Sequence, residues 1–209
     1  MSVASSSTPP ADHRRGGAGF IIRLLAILAI GGGLGLWSAV YALQDQAGFG
    51  RVDIGAWSTY PRAGGFDVDP YARAAIARRG ELPLGAGEGV MLTAIRDDDG
   101  RPLNGRCDYL LQGFMPVARG WTLTIHKPDG GLFLERPARH GLTSGEAVRE
   151  AGSRVTIALA REARSGNWLQ LPTSGGFQLA LRLYDTSASS ISRALDRSQL
   201  PRIARVRCV

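Results

Sequence analysis

The pattern of apolar and polar residues divides the chain into one apolar run near the N-terminus and a long region of short alternating segments. Residues 24–43 are twenty positions without a charge. At ~1.5 Å of rise per residue, a helix of that length spans about 30 Å, the hydrocarbon thickness of a bilayer. We therefore expect a transmembrane helix over residues 20–43, preceded by a disordered tail over residues 1–19 that is rich in Ser, Thr and Pro.

Between this run and the alternating region lies a Gly-rich stretch, residues 44–68, with little periodicity. This stretch is interpreted as a linker or a wrapping segment. A helix follows, because Asp69 suits the N-cap and Pro70 the first helical position, where its missing N–H costs nothing. Gly80 is expected to end this helix.

From Gly89 onward, apolar residues alternate with polar ones, as in half-buried strands. The segments that alternate are 90–95, 107–111, 121–126, 155–159, 177–183 and 203–208. A short strand is also expected at 132–134, and short helices at 145–150, where Thr143 and Glu146 form a capping-box pair, and at 189–197. Many short strands separated by turns predict an exported, mainly β domain over residues 69–209, an antiparallel β-sandwich or jelly roll with a few short helices.

The arginines that flank the apolar run predict its orientation. Arg14, Arg15 and Arg23 precede the span or stand at its mouth, whereas Arg51 alone follows within the counting window. Since cytoplasmic flanks carry the excess of positive charge, we expect a single pass of the inner membrane with the N-terminus in the cytoplasm and the C-terminal domain in the periplasm.

Three alternatives for this region stay open. Residues 40–42 satisfy the small-residue pattern of a signal-peptidase site with cleavage after Ala42, although the run is longer than a usual signal peptide and favours an uncleaved signal anchor. Arg14 and Arg15 suggest a twin-arginine signal, but glycines follow where that signal has bulky apolar residues. Gly31 and Gly35 have the spacing that lets two helices approach closely, so a homo-oligomer is a further hypothesis.

The charge balance does not point to nucleic acid. The net charge is +7, yet only one of the 25 basic residues is a lysine. The arginines are scattered and are not interleaved with aromatic residues as in single-strand binders. A GC-rich genome explains so many arginines, and no nucleic-acid partner is predicted.

Several segments together resemble a known bacterial family. They are residues 166–169, with the sequence Gly-Asn-Trp-Leu, residues 177–184, ending in Leu-Arg-Leu-Tyr, and the upstream strands 109–113 and 121–125. Residues 69–209 are similar to the domain of unknown function 1214, often the C-terminal half of larger two-domain envelope proteins. The resemblance implies a β-sandwich of jelly-roll type, and it implies no established reaction, substrate or catalytic residue. A membrane span and linker stand here in place of the relatives' other half.

Cys107 and Cys208 are the only two cysteines of the chain. In an exported domain an even number of cysteines predicts a disulfide, here between an early strand and the last one. Two buried free thiols are the alternative. A metal site is not expected, because nearby partner ligands are missing, and no cofactor is predicted.

The candidate ligand-binding residues lie on the last long alternating segment and near it. Arg182 and Tyr184 point away from Leu183, and with Gln178 they would line a polar surface suited to a sugar or a carboxylate. His126 lies on the strand face opposite Trp121. The plainer interpretation is the solvent side of a sandwich strand.

Other polar groups carry weaker hypotheses. His126 and His140, the two histidines of the exported domain, would serve as an acid/base pair or as metal ligands, although two ordinary surface histidines are the plainer interpretation. Residues 97–99, three aspartates, form too short a loop for calcium and are interpreted as a solvated hairpin tip. Asn167 and Trp168 are expected to form a turn whose indole plugs the edge of the core.

These features lead first to a membrane-tethered, non-catalytic periplasmic module that binds a ligand, an envelope protein or a polysaccharide. The alternatives are an envelope hydrolase acting on a glycan or small molecule, and an accessory subunit of a membrane complex. An enzyme requires titratable groups that converge in a pocket. A cluster of His126, Arg182 and an acid in one concavity would favour the hydrolase.

Overall fold

A computed structural model describes residues 15–44, 51–61, 63–79, 83–85, 87–133, 139–186, 196 and 199–208. The chain separates into two compact units, Met1–Asp45 and Gln46–Val209. Each unit is described by itself below.

The described part of the first unit is one long helix, α1 (Arg15–Gln44). Within it, Gly19–Tyr41 is long and apolar enough to cross a membrane, and its large apolar side chains are exposed. Trp37 and Tyr41, one turn apart, stack with ring centroids 5.9 Å apart. The predicted apolar helix is therefore present as a candidate membrane span.

The second unit is mainly β. Its helix and strands are β1 (Val52–Ile54), β2 (Trp57–Thr59), α2 (Pro70–Arg79), β3 (Gly89–Ala94), β4 (Cys107–Gly113), β5 (Gly120–His126), β6 (Gly141–Thr143), β7 (Val155–Ala160), β8 (Asn167–Gln170), β9 (Gln178–Tyr184) and β10 (Arg202–Cys208). The α2 helix begins as expected, because Oδ1 of Asp69 accepts hydrogen bonds from the backbone N–H groups of Tyr71 and Ala72 at 2.8 and 3.2 Å. Gly80 lies outside the described residues.

The strands form two sheets. The larger sheet has the order β1-β2-β3-β9-β5-β6, with antiparallel neighbours. The smaller sheet has the order β10-β4-β7-β8, in which β7 and β8 are parallel and the other pairs antiparallel. The parallel pair departs from the antiparallel expectation. The loop between Ala160 and Asn167 connects the two strands without a long crossover. It leads the chain back so that Asn167 of β8 pairs with Ile157 of β7.

The core lies between the two sheets, and each sheet contributes the side chains of one of its faces. This arrangement confirms a mainly β, two-sheet fold. From the larger sheet come Val90, Leu92, Leu123, Leu179, Leu181 and Leu183, and from the smaller sheet Tyr109, Leu111, Ile157, Leu159, Leu169 and Ile203. The rings of Tyr109 and Phe177 meet edge to face at 5.7 Å. Strand β9 therefore buries one face completely, as its alternation predicts.

Segment 44–68, expected to be a linker or a wrapping segment, contains two strands that extend the larger sheet. Thr59 of β2 pairs with Leu92 of β3. Trp57 is buried, and its Nε1–H donates a 2.8 Å hydrogen bond to the carbonyl of Pro201. This indole therefore packs on the domain.

Three local predictions are wrong. Leu132 is exposed and forms no strand. Thr143 and Glu146 make the expected side-chain contact, but Thr143 ends β6, so the chain makes a turn instead of a helix at 145–150. Asn167 begins β8 instead of a turn, because it pairs beside β7. The predicted helix at 189–197 lies almost wholly outside the described residues.

The predicted disulfide is confirmed. Cys107 of β4 and Cys208 of β10 are bonded, and they are also direct partners in the register of the two strands. The bridge fastens the C-terminal edge strand to its neighbour and closes a loop with a sequence separation of 101.

The aspartate turn adds a second tie to the same edge strand. Asp97 is buried, and its Oδ2 lies 2.9 Å from Nε of Arg205 and 3.2 Å from Nε of Arg101. Oδ2 of Asp98 accepts a 2.8 Å hydrogen bond from the backbone N–H of Ile203. The interpretation of this turn as a solvated hairpin tip is therefore wrong for Asp97, against which β10 packs, whereas Asp99 is exposed as expected.

Candidate functional site

The candidate site is the side of the larger sheet that points away from the core, here called the outer face. It consists of side chains from four strands: Ser58 on β2, Met91 and Thr93 on β3, Gln178, Ala180, Arg182 and Tyr184 on β9, and Thr122, Thr124 and His126 on β5. Pairing in register places His126 beside Gln178, Thr124 beside Ala180, and Thr122 beside Arg182. The four residues singled out from the sequence thus share one surface, since side chains two apart on a strand share a face.

A chain of hydrogen bonds crosses this face from β9 to β5. Nη1 of Arg182 donates to Oγ1 of Thr124 at 3.3 Å, and this oxygen lies 2.8 Å from Nε2 of His126. Nδ1 of His126 lies 3.1 Å from the carbonyl oxygen of Gly130. Because a carbonyl only accepts, we assign the proton to Nδ1, and Nε2 of the neutral ring then accepts from Thr124.

His126 is consequently not an ordinary surface histidine. Its side chain is buried, with 9% of the residue exposed, and both ring nitrogens are engaged in the network just described. The turn at residues 127–130, closed by the hydrogen bond from Gly130 N–H to the Lys127 carbonyl at 2.9 Å, supplies the carbonyl that holds the ring.

Arg182 and Tyr184 are half-buried and reach the surface. The hydroxyl of Tyr184 lies 3.3 Å from Oγ1 of Thr122. Arg182 makes no ion pair within the described part of the chain, so its remaining N–H groups are available to an acceptor from outside. Asp185, the acid next to Tyr184 in sequence, pairs instead with Arg119 at 3.3 Å.

Glu146 stands near the edge of the outer face, beside the end of β6. The backbone N–H and the hydroxyl of Thr143 both donate to its Oε2 at 3.0 Å. These hydrogen bonds, the backbone one foremost, lower the pKa of the carboxyl from its ordinary value, and the charge of Arg139 acts in the same direction. This acid is therefore ionised and engaged with its own turn.

The two histidines do not form one site. The backbone N–H of Ile125 donates to the carbonyl of His140, so His140 lies beside Ile125, whereas His126 is the next residue and points to the other face. The His140 ring donates from Nδ1 to the carbonyl of Gln170 at 3.2 Å. No group of three or more His, Cys, Asp and Glu side chains in the described residues is arranged to hold a metal ion.

Helix α2, the segments around it and the β2–β3 side of the outer face line a partly open pocket with a volume of about 50 Å³. Its walls combine apolar and polar side chains: Arg51, Ser58, Thr59, Tyr60, Pro61, Ala63, Ile76, Pro83, Leu84, Val90, Met91, Thr93 and Gln178. Gln178 alone was singled out from the sequence. Arg51, Ser58 and Thr93 were missed, because only the pairing of β2 with β3 brings them to the same place.

Comparison with known proteins finds similarity to one family and to solved structures of the same fold. Residues 88–188 match the family described as "Protein of unknown function (DUF1214)". The crystal structure of a Vibrio parahaemolyticus protein is similar with a TM-score of 0.56 at 20% identity, over 88% of this chain and 45% of that one. An uncharacterized protein from Burkholderia cenocepacia gives a TM-score of 0.45 at 16% identity, over 80% of this chain and 39% of that one.

This chain thus spans less than half the length of either solved chain. No curated protein matches it. At such low identity the Vibrio structure supports the fold alone. Residues 88–188, about half of the chain, are thus similar to the DUF1214 family, whose function is unknown.

Proposed function

We propose that this protein is a membrane-tethered, non-catalytic binding module of the bacterial cell envelope, and that the open part of its outer face binds the ligand or partner. The N-terminus lies in the cytoplasm, α1 spans the inner membrane as an uncleaved signal anchor, and the β domain lies in the periplasm. The binding surface is built from Arg182, Tyr184 and the neighbouring threonines of β5.

The export part of the proposal rests on charge and redox chemistry. Arg14, Arg15 and Arg23 stand before the apolar run or at its mouth, and Arg51 follows it. This asymmetry favours a cytoplasmic N-terminus. The Cys107–Cys208 disulfide supports the same orientation, because disulfides persist in the periplasm and are reduced in the cytosol.

The binding part rests on one observation: the Arg182 guanidinium is held in place from one side and has no anionic partner among the described residues. Thr124, fixed by His126, orients it across the sheet. A guanidinium with free N–H groups beside a phenol suits a carboxylate or a sugar hydroxyl. A rigid sheet supplies the preorganisation that makes such a surface useful for binding.

The hydrolase alternative has less support. His126 and Arg182 do belong to one network, as that alternative requires. However, Arg182 contacts no carboxylate in the described part, Asp185 is paired with Arg119, and Glu146 is held by Thr143. The accessory-subunit alternative rests on Gly31 and Gly35, whose spacing lets two helices approach closely.

The orientation is tested by thiol labelling of intact cells, quenched in acid, with and without prior reduction. We expect Cys107 and Cys208 to react only after reduction. Reaction without reductant would contradict the export of the domain.

The binding surface is tested by photo-crosslinking in living cells with p-benzoylphenylalanine in place of Tyr184. A matched probe replaces Trp168, an aromatic residue of the smaller sheet. We expect an adduct at position 184 that is lost when Arg182→Gln is added, and none at position 168. No adduct at 184, or equal adducts at both positions, would contradict the proposal.

A further inference from the structure

The open part of the outer face has a flat floor formed by β5 and β6. Before His126, the outward-pointing positions of these two strands are all glycine or threonine: Gly120, Thr122, Thr124, Gly141 and Thr143. Both outward positions of β6 are exposed. The longer side chains of Arg182 and Tyr184 on β9 border this floor. The surface can therefore accommodate a ligand that lies flat across the strands, beside a cation and a phenol.

The pairing of the strands sets the length of this floor. Arg182 lies directly beside Thr122, and Thr122 lies beside Thr143. Since neighbouring strands are about 4.8 Å apart, the row from Arg182 to Thr143 is about 10 Å long. A ligand that contacts both ends of this row is therefore extended, and it is longer than a small anion such as phosphate.

The free side of the Arg182 guanidinium determines which group binds there. Nη1 donates to Oγ1 of Thr124, whereas Nε and Nη2 have no partner among the described residues. The N–H bonds of Nε and Nη2 are parallel in a planar guanidinium, so the two atoms form a fork that matches both oxygens of one carboxylate. Arg119, which precedes β5, is by contrast already paired with Asp185. Arg182 is thus the arginine of this face that is oriented and available for a carboxylate.

The charge of the face favours a carboxylate over a phosphate group. Among the outward side chains of β2, β3, β9, β5 and β6 that the structure describes, Arg182 is the one that carries a charge, since His126 is held as a neutral ring. A carboxylate brings one negative charge, whereas a phosphate monoester brings about 1.5 to 2 at neutral pH. One guanidinium balances the charge of the carboxylate and leaves that of the phosphate in excess.

The hydroxyl groups of the floor indicate what surrounds the carboxylate. The hydroxyl of Thr143 donates to Oε2 of Glu146 at 3.0 Å, so its oxygen remains an acceptor. The hydroxyls of Thr122 and Tyr184 share one hydrogen bond, which leaves further capacity on both oxygens. Sugar hydroxyls also donate and accept, and they complement such a surface. The threonine methyls are the largest apolar groups of this floor, so it offers no pocket for the apolar side chain of a peptide.

We propose that the open part of the outer face binds an acidic polysaccharide, a glycan whose sugar units carry carboxylates. The carboxylate of one unit accepts hydrogen bonds from Nε and Nη2 of Arg182. Hydroxyls of that unit and of the next one bond to Thr122, Thr143 and Tyr184. This ligand class rests on the proposed function, since it belongs to the same surface.

The experiment uses the full chain in detergent and titration calorimetry with short oligomers of galacturonate, glucuronate and mannuronate. At least one of these uronate oligomers is expected to bind. Its methyl ester, which has the same sugar backbone without the charge, and oligoglutamate, which has carboxylates without sugar hydroxyls, should each bind at least about tenfold more weakly. Failure of all three uronates would overturn the proposal. Equal binding of oligoglutamate or of polyphosphate would also overturn it, because a chain with a net charge of +7 attracts any polyanion.

Variants of two arginines separate the fork from the overall charge. Arg182→Lys keeps the charge but removes the fork, so it should weaken uronate binding by about tenfold, and Arg182→Gln should weaken it further. Arg119→Gln is the matched control, since it removes one positive charge from the surface pair with Asp185 and should leave the affinity unchanged. Wild-type affinity in Arg182→Lys, or equal losses in Arg119→Gln and Arg182→Gln, would contradict recognition by Arg182.

A third variant blocks the floor without removing a hydrogen-bonding side chain. A Cβ at Gly141 would lie 3.4 Å from Cγ2 of Thr124 and 3.8 Å from the carbonyl oxygen of Leu123, which are ordinary contact distances. Gly141→Val should therefore fold, as a β-branched residue in a strand, and still weaken binding by about tenfold while the disulfide and the circular dichroism stay unchanged. Full affinity in this variant would place the glycan elsewhere and overturn the proposal.

The crosslink at position 184 separates the ligand class from the proposed function. An adduct that depends on Arg182, together with no binding of any uronate oligomer, would leave the binding surface in place and refute the glycan. Absence of the adduct would count against the surface itself.

Discussion

The two sheets of the domain differ in how completely their polar side chains are bonded within the protein. On the smaller sheet, and in the aspartate turn that packs against its edge strand β10, polar groups are bonded to the protein: Cys107 to Cys208, Asp97 to Arg101 and Arg205, and Asn167 to the backbone of Val148 and Thr156. On the outer face of the larger sheet, the Arg182 guanidinium and the Gln178 amide keep free hydrogen-bonding capacity.

This difference separates stabilisation from recognition. A polar group that is satisfied within the fold strengthens it, whereas one that is held in place and left unsatisfied is available to a ligand. The smaller sheet therefore secures the C-terminal strand, and the larger sheet carries the proposed binding surface. Substitutions in the two sheets should have opposite consequences for stability and for binding.

The disulfide should have the largest effect on stability. Replacing Cys107 and Cys208 by Ala removes a bridge with a sequence separation of 101, which the chain-entropy model values at about 4–5 kcal/mol. The thermal midpoint should fall on the order of 10–20 °C. Wild-type protein unfolded with reductant is the control and should match the variant. A fall of less than about 2 °C would mean that the remaining contacts of β10, such as those with Asp97 and Asp98, are sufficient to hold this strand.

The buried aspartate should come next. Asp97→Asn keeps the shape of the side chain but removes the charge that pairs with Arg101 and Arg205, at a cost of about 2–4 kcal/mol. Asp53→Asn is the matched control, since Asp53 pairs with Arg51 at 2.7 Å but is 63% exposed, and its loss should cost under about 1 kcal/mol. Denaturant unfolding measures both. If the two variants lost similar free energies of unfolding, the burial of Asp97 would not explain its contribution to stability.

Asn167→Leu should cost about 2–3 kcal/mol, because the N–H and carbonyl of Val148 and the carbonyl of Thr156 lose their partner. Equilibrium unfolding in urea gives the free energy of unfolding. A neutral result would show that these backbone groups find water instead.

Gln178→Leu should change stability by no more than about 0.5 kcal/mol, since the amide has no partner to lose among the described residues. The same urea experiment measures it, with Asn167→Leu as the contrasting amide. A loss comparable to that of Asn167 would show that Gln178 has a structural role, which would end the contrast between the sheets.

Glu146→Gln should have the smallest effect, and it should depend on pH. Hydrogen bonds from Thr143 lower the pKa of Glu146 in the folded state, so this carboxylate stabilises the turn above its unfolded pKa and ceases to do so as the pH falls through the folded value. The difference in thermal midpoint between wild type and variant should shrink from pH 7 to pH 3. A constant difference would contradict the assignment.

Local signals in the sequence predicted much of the fold. The charge-free run of α1, the Asp69 N-cap and the alternation of β9 each involve neighbouring residues, and the structure contains all three. The face shared by Gln178, Arg182 and Tyr184 follows from the two-residue period of a strand. The disulfide followed from the count of two cysteines, since no other pairing existed.

Two local predictions were wrong because distant neighbours decide the structure at those positions. Thr143 and Glu146 form the contact of a helix start, yet the pairing of Thr143 with Thr122 commits it to a strand. Asp97 looked like part of a solvated turn, but Arg205 of β10 covers it. The residues close in sequence to Thr143 and Asp97 give no indication that Thr122 and Arg205 are their partners.

The sequence by itself determined the candidate membrane span, the start of the helix at Asp69, the long alternating strands and which of their side chains share a face, and the similarity of the β domain to the DUF1214 family. Only the tertiary structure decided which strands are neighbours, and hence that Arg51, Ser58 and Gln178 line one pocket and that Thr124 joins Arg182 to His126. The physical reason is the distance along the chain over which each effect acts. Propensity, capping and alternation act within a few residues, whereas register and burial arise from contacts between segments far apart in the chain.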